Sequence, residues 1–101
     1  MNEKDFLKYC NQYLEELSQI IEKMDINSNL DIEYTDGIIK ITIDEIRQSF
    51  VINRHSASQK IWYSSPFSAV DYFSFIDGNW INNKQQNLQN KLFIELEKWL
   101  G

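Results

Sequence analysis

Between Phe6 and Met24 the apolar residues recur at helical spacing. Phe6, Cys10, Tyr13, Leu17, Ile20 and Met24 follow one another at intervals of three and four, and Leu14 and Ile21 widen the stripe. Lys8, Glu15, Gln19 and Glu22 fall on the opposite side, so the spacing predicts an amphipathic helix over residues 5–24. After the polar stretch Asn27-Ser28-Asn29 the period changes to two. Leu30, Ile32 and Tyr34 alternate with Asp31, Glu33 and Thr35, the mark of a half-buried strand. Asp36-Gly37 supplies a tight-hairpin signal, and a second strand follows with Ile39, Ile41 and Ile43 on one face. A third strand alternates Phe50 and Ile52 with Ser49, Val51 and Asn53. A fourth runs from Lys60 to Ser65 and is closed by Pro66. Shorter strands are expected over 72–76 and 79–82, turning at Asp77-Gly78. The chain closes with a second helix whose stripe is Leu88, Leu92, Leu96 and Trp99, supported by Phe93 and Leu100. This order predicts an α+β fold with both helices on one face of an antiparallel sheet, leaving the other face to water or to a partner.

Composition narrows the function more than the fold. The 101 residues suffice for one domain, spanning 1–101, with 43% hydrophobic and 14% aromatic residues to build a core. No apolar run approaches the roughly 20 residues of a membrane span. The first residues, Met1-Asn2-Glu3-Lys4-Asp5, carry no basic or apolar targeting pattern, which predicts a cytoplasmic protein or an already processed form, away from membranes. Cys10 and His55 are the only residues of their kinds, so thiolate clusters and disulfides within one chain are excluded and any metal must be held mainly by oxygen. Cys10 lies on the first helix's apolar stripe and reads as a small buried hydrophobe. His55, just past a strand, reads as a surface histidine, with a labile ligand or pH-sensitive contact as the alternative. Ser64 and Ser65 lack a base and an orienting acid, and three glycines leave no phosphate-cradling loop.

The net charge of −5 is uneven: residues 1–45 hold eleven acids and four bases, residues 46–101 four acids and six bases. The acidic half repels phosphates, which excludes nucleic acid, and suits cations or a basic protein surface. Glu22, Asp25, Asp31 and Glu33, with Glu15 one turn further off, come together on adjacent solvent-facing surfaces if the first helix packs beside the first strand. They read either as a solvated face or as a shallow site for hard cations.

Residues 50–66, Phe-Val-Ile-Asn-Arg-His-Ser-Ala-Ser-Gln-Lys-Ile-Trp-Tyr-Ser-Ser-Pro, resemble the central signature of the frataxins, including the bacterial CyaY type. Asn53, Arg54, Ile61, Trp62, Ser64, Ser65 and Pro66 all fall in register with it. The acidic first helix, the Asp31-Ile32-Glu33 strand, the Asp36-Gly37 turn, Tyr72-Phe73, Trp80 and the closing helix follow in the family's order. The chain departs from the usual pattern at His55, Ala57 and Lys60. Gln19, Lys23, Asn27 and Asn29 interrupt what is a nearly continuous acidic ridge in bacterial relatives.

The resemblance implies the frataxin α-β-α arrangement and a non-enzymatic, iron-binding protein that regulates iron–sulfur cluster assembly. It implies weak binding of ferrous or ferric iron at surface carboxylates, here Glu15, Glu22, Asp25, Asp31 and Glu33. It also implies docking on a cysteine desulfurase, whose basic surface the ridge would face, and on the iron–sulfur scaffold protein. Asn53, Lys60, Trp62, Ser65 and Pro66 would meet that scaffold from the open sheet face. Strand alternation lets only one of Ile61 and Trp62 point inward, and the resemblance implies Ile61 inside and Trp62 outside. The protein would be a monomer, or an oligomer formed with iron. The competing expectation is a ferroxidase that oxidises and stores iron. Such a site resembles the Glu-x-x-His constellation of di-iron proteins, which this sequence lacks. A third reading is an acidic domain that binds a basic protein without metal. Many relatives carry a C-terminal extension packed between the helices, whereas this sequence stops at Gly101. The groove beside Leu92, Leu96 and Trp99 is therefore expected to lie open to water.

Overall fold

The computed structural model describes residues 1–100, and Gly101 lies outside them. The first helix, α1, runs Glu3–Met24. Asn2 caps it, its side-chain oxygen accepting from the Asp5 amide at 2.8 Å. Glu3 and Asp5 sit in its first turn and Lys23 in its last, each matching the sign of the helix dipole. The buried stripe is Phe6, Cys10, Leu14, Leu17 and Ile21, at intervals of 4, 4, 3 and 4. It is therefore rotated from the expected one: Ile20 is exposed, and Tyr13 and Met24 are half-buried. The buried stripe centres on the side of Leu14 and Ile21, so Ile20 falls at the edge of the contact and Met24 at the end of the helix's last turn.

Six strands follow: β1 Leu30–Thr35, β2 Ile38–Ile43, β3 Gln48–His55, β4 Lys60–Ser64, β5 Asp71–Ile76 and β6 Asn79–Ile81. They form one antiparallel sheet in sequence order. Two hairpins turn on an acid followed by glycine in the left-handed region, Asp36-Gly37 (φ 40° and 80°) and Asp77-Gly78 (φ 50° and 81°). Two consecutive positive φ values give the twist that joins neighbouring strands. Gly37 is also required by packing, since a Cβ there would stand 2.7 Å from Cζ of Arg54.

Helix α2 spans Leu88–Leu96, capped by Asn87, and tightens into a 3-10 turn over Glu97–Trp99. One face of the sheet supplies Ile39, Ile41, Ile43, Phe50, Ile52, Ile61, Tyr63, Phe73 and Trp80 to a single core shared with both helices. Leu92 and Leu96 are fully buried, which corrects the expectation of an open groove beside them. The 3-10 turn closes that end: Trp99 stacks on Phe67 at 6.0 Å, and its carbonyl accepts from the Asn29 side chain at 3.1 Å. No helix among the described residues is long and apolar enough to cross a membrane.

Candidate interaction face and acidic residues

Period-two alternation decides which side chains reach the uncovered sheet face. Residues 39, 41, 43, 50, 52, 61, 63 and 73 point to the helices, so their neighbours point away. One row crosses the sheet through successive cross-strand partners: Ile38 opposite Asn53, Asn53 opposite Trp62, Trp62 opposite Tyr72. Ile61 is 0% exposed and Trp62 38%, so the inside–outside order is the one the family resemblance implied. The indole is held from two sides. The His55 imidazole lies flat on it, centroids 4.0 Å apart and planes 15° apart, and Tyr72 meets it edge-on at 5.5 Å. Lys60 pairs in register with His55 on one side and Ser74 on the other, and it is exposed. Ile38, Trp62, Tyr72 and Ile76 are all exposed on this face. An uncovered apolar patch with polar neighbours is the composition of a protein-binding surface.

Asn53, Lys60 and Trp62 thus share the face. Ser65 does not, which corrects its expected placement. β4 ends at Ser64, which takes the open-face position opposite Val51. Ser65 turns to the helix side, donating to Glu95 Oε2 at 2.9 Å and accepting from the Phe67 amide at 3.0 Å. Pro66 is half-buried in the same turn. Strand parity is the reason: residues 62 and 65 differ by an odd number, so they leave opposite sides of the sheet. Glu95 also accepts from the Tyr63 hydroxyl, at 2.5 Å. Burial, reinforced by this carboxylate, pushes the Tyr63 hydroxyl well above its ordinary value. Beside it, Lys91 pairs with Asp71 at 3.0 Å, and Asn82 donates to the same Asp71 oxygen at 2.8 Å. Burial works to raise the Asp71 carboxyl, but the bonds from Asn82 and Lys91 outweigh it and hold it below the ordinary value. These contacts fasten α2 to β4 and β5.

The acidic residues divide. Glu15 and Glu22 are exposed on α1, and Asp31 and Glu33 are exposed on β1. Because Leu30, Ile32 and Tyr34 turn toward the helices, Asp31 and Glu33 face the open side, opposite Thr42 and Lys40. Asp25 is taken up by the backbone: its two oxygens accept from the amides of Asn29 at 2.8 Å and Leu30 at 3.0 Å, and it is half-buried. Among the described residues no three His, Cys, Asp or Glu side chains converge to hold a metal ion. The oxygen donors fit loose contact with a hydrated cation and not an enclosing cage. Cys10 is fully buried, and desolvation pushes its thiol up to about 12 against the lowering field of Arg54, so it is no thiolate ligand at neutral pH.

His55 and Tyr72 were missed as parts of the face. His55 is the last residue of β3 and not a loop residue. Continuing the alternation 49, 51, 53 by one step reaches it, and Tyr72 stands opposite Trp62 and alternates with the buried Phe73 in β5.

The architecture is that of an α+β protein with two helices laid on one face of a six-stranded antiparallel meander. A model of the frataxin-like domain matches residues 1–101, and the chain belongs to the frataxin-like family. It is similar to the mitochondrial frataxin homolog of Drosophila melanogaster, 28% identical over 98 residues, covering 88% of this chain and 52% of that one. The chain therefore spans about half the length of that curated relative. Among solved structures, a frataxin from Psychromonas ingrahamii superimposes with a TM-score of 0.85 over 97% of this chain and 90% of its own, at 17% identity. Trimeric frataxin from Saccharomyces cerevisiae, complexed with ferrous iron, matches with a TM-score of 0.66 at 27% identity, over 99% of this chain and 87% of that one.

Proposed function

We propose that this protein is an iron-binding regulator of iron–sulfur cluster assembly that works by docking and not by catalysis. The observation that carries this reading is the exposed Trp62 on the uncovered sheet face, braced by His55 and Tyr72 in a chain of the frataxin-like family. A braced aromatic is a low-entropy anchor, and the iron–sulfur scaffold protein is the partner assigned to it. The acidic side, with Glu15 and Glu22 on α1 and Asp31 and Glu33 at the β1 edge, suits the basic surface of a cysteine desulfurase. The same carboxylates are the sites for weakly held iron, as cargo or signal. The yeast relative complexed with ferrous iron supports iron contact. Exposed carboxylates on separate elements give shallow, salt-sensitive binding, screened over about 10 Å at ~0.1 M salt.

Pull-down of desulfurase and scaffold with the purified protein, with and without ferrous iron, tests the reading. Retention of both partners, lost in Trp62→Ala for the scaffold, is the expected result. Absence of both partners under either condition overturns it. Oxygen consumption on addition of ferrous iron separates it from the ferroxidase alternative: stoichiometric uptake of oxygen overturns the non-enzymatic assignment.

A further inference from the structure

The open face is polarised along its width. Its carboxylates, Asp31 and Glu33, stand on the edge strand β1. Two strands further on, where β3 and β4 carry His55, Lys60 and Trp62, the face bears no acid. Lys60 makes no ion pair among the described residues. His55 is fixed: Ser58 closes on its Nδ1 from both sides, with the Ser58 hydroxyl at 2.7 Å and the Ser58 amide donating at 3.3 Å. Nδ1 therefore accepts, which leaves the Nε2–H free, while the ring lies flat on Trp62 at 4.0 Å.

We propose that His55 is the positioning and charge-setting residue of this docking face, and that the partner patch it receives is acidic. This rests on the reading that the Trp62 face docks the scaffold protein. Neutral, the imidazole clamps the indole in one orientation, so less freedom is lost on docking. Protonated, it holds a positive charge over the electron-rich indole face. With Lys60 it then presents two cations flanking an aromatic anchor. On protonation Nδ1 turns from acceptor to donor: the contact with the Ser58 amide is lost, while the Ser58 hydroxyl reverses and accepts. The charged surroundings are few. From β4 only Lys60 faces the ring, and the 56–59 turn is uncharged. That turn touches the N-terminal residue through Gln59, whose side-chain amide donates to the Met1 carbonyl at 2.8 Å. Arg54 turns its guanidinium away, to Asn11 and Asp36. Asp36, in the hairpin turn beside the end of β3, is paired with Arg54, so Lys60 is the unpaired charge whose register position adjoins the ring, and an acidic surface complements it. Docking is coupled to proton uptake at His55 and therefore strengthens as pH falls.

Two measurements test this. In the free protein, NMR follows the His55 ring proton and the Trp62 indole N–H from pH 5 to 8.5. One shared midpoint is expected, abolished at the indole by His55→Gln, whereas an indole indifferent to His55 protonation overturns the coupling. For docking, calorimetry with the purified scaffold protein compares wild type, H55Q and H55F at pH 6 and 8. Wild type should bind about two- to fivefold more tightly at pH 6, the size of one exposed charge pair. H55F, which keeps a stacked ring without a proton, should retain the pH 8 affinity and lose the pH slope, while H55Q should lose affinity at both. A slope that survives in H55F, or wild-type binding that weakens at pH 6, overturns the role of His55 while leaving the docking reading intact. No binding at either pH by the wild type, in a protein whose His55 and indole still titrate together, overturns the docking reading itself and the acidic partner with it.

Discussion

Ile61 and Trp62 are adjacent residues with opposite environments, and substitution should separate them. Trp62→Ala removes the proposed anchor without opening the core. It should weaken scaffold binding by about 2 kcal/mol or more, roughly thirtyfold, while thermal unfolding barely moves. Ile61→Ala leaves a cavity in the core at the position opposite Phe73 and should cost about 2–5 kcal/mol of stability. Normal affinity in the first variant, or its early unfolding, contradicts the anchor role. Asp25 offers a second contrast. With both oxygens bonded to the amides of Asn29 and Leu30, Asp25→Ala should cost about 1–2 kcal/mol, a drop of several degrees in Tm. The same change should leave cation-induced NMR broadening around Glu22 as it was. Loss of that broadening with unchanged Tm would return Asp25 to the proposed iron-contacting carboxylates.

At the scale of elements, the β1–β2 hairpin and the end of β3 interlock through one residue pair. Arg54 spans the turn, its amide donating to the Gly37 carbonyl at 2.8 Å and its guanidinium reaching Asn11 on α1 at 2.6 Å. Gly37 and Gly78 share a left-handed φ, but a Cβ at Gly78 meets nothing within 4 Å, whereas one at Gly37 strikes the guanidinium. Gly78→Ala should therefore cost only the backbone strain, about 1 kcal/mol. Gly37→Ala should cost that plus the displaced Arg54 contacts, at least another ~1 kcal/mol. Equal losses in denaturant unfolding would show that Arg54 swings aside freely. The opposite side of the sheet is fastened by Glu95, which takes the hydroxyls of both Tyr63 and Ser65. Its contribution belongs to the seating of α2 and not to the docking face.

Across the whole molecule, burial of ionisable groups sets the pH range of stability. The Cys10 thiol and the Tyr13 and Tyr63 hydroxyls are all pushed up by desolvation, so the folded chain keeps protons that the unfolded chain releases. For groups raised in this way the contribution is fully present below the unfolded value and is lost as pH rises. The decline should start near the thiol's reference value of 9.0 and steepen past the tyrosine reference value of 10.0. Each group adds up to about 1.4 kcal/mol per pH unit. Asp71 is depressed and acts at the other end: its contribution is present above the reference value of 3.8 and is lost as pH falls below it. Urea unfolding at pH 7, 9 and 10.5 measures the alkaline limb, and a flat profile would show that these groups find water in the folded state.

Element order, the two hairpin turns, the core residues of the strands and the sign of the charge in each half were legible in the sequence, because each depends on local period or local turn geometry. Asp36-Gly37 and Asp77-Gly78 adopt the positive φ pair that acid–glycine turns favour, whatever surrounds them. The signature around Asn53 and Trp62 was legible as family resemblance. What stood outside local reading was the meeting of distant residues. Whether Trp62 points out is a matter of which strand face the helices cover, and α1 and α2 settle that from the two ends of the chain. The division of the acidic residues between α1 and the open side of β1, and the capture of Asp25 by the amides that follow the helix, arise from how α1 ends against β1. The loss of Ser65 to Glu95, 30 residues away, is of the same kind. His55 joins Trp62 only because β3 and β4 pair in a register that sets the two rings on one face. Periodicity assigns a side chain to a face, but only packing brings a partner to it.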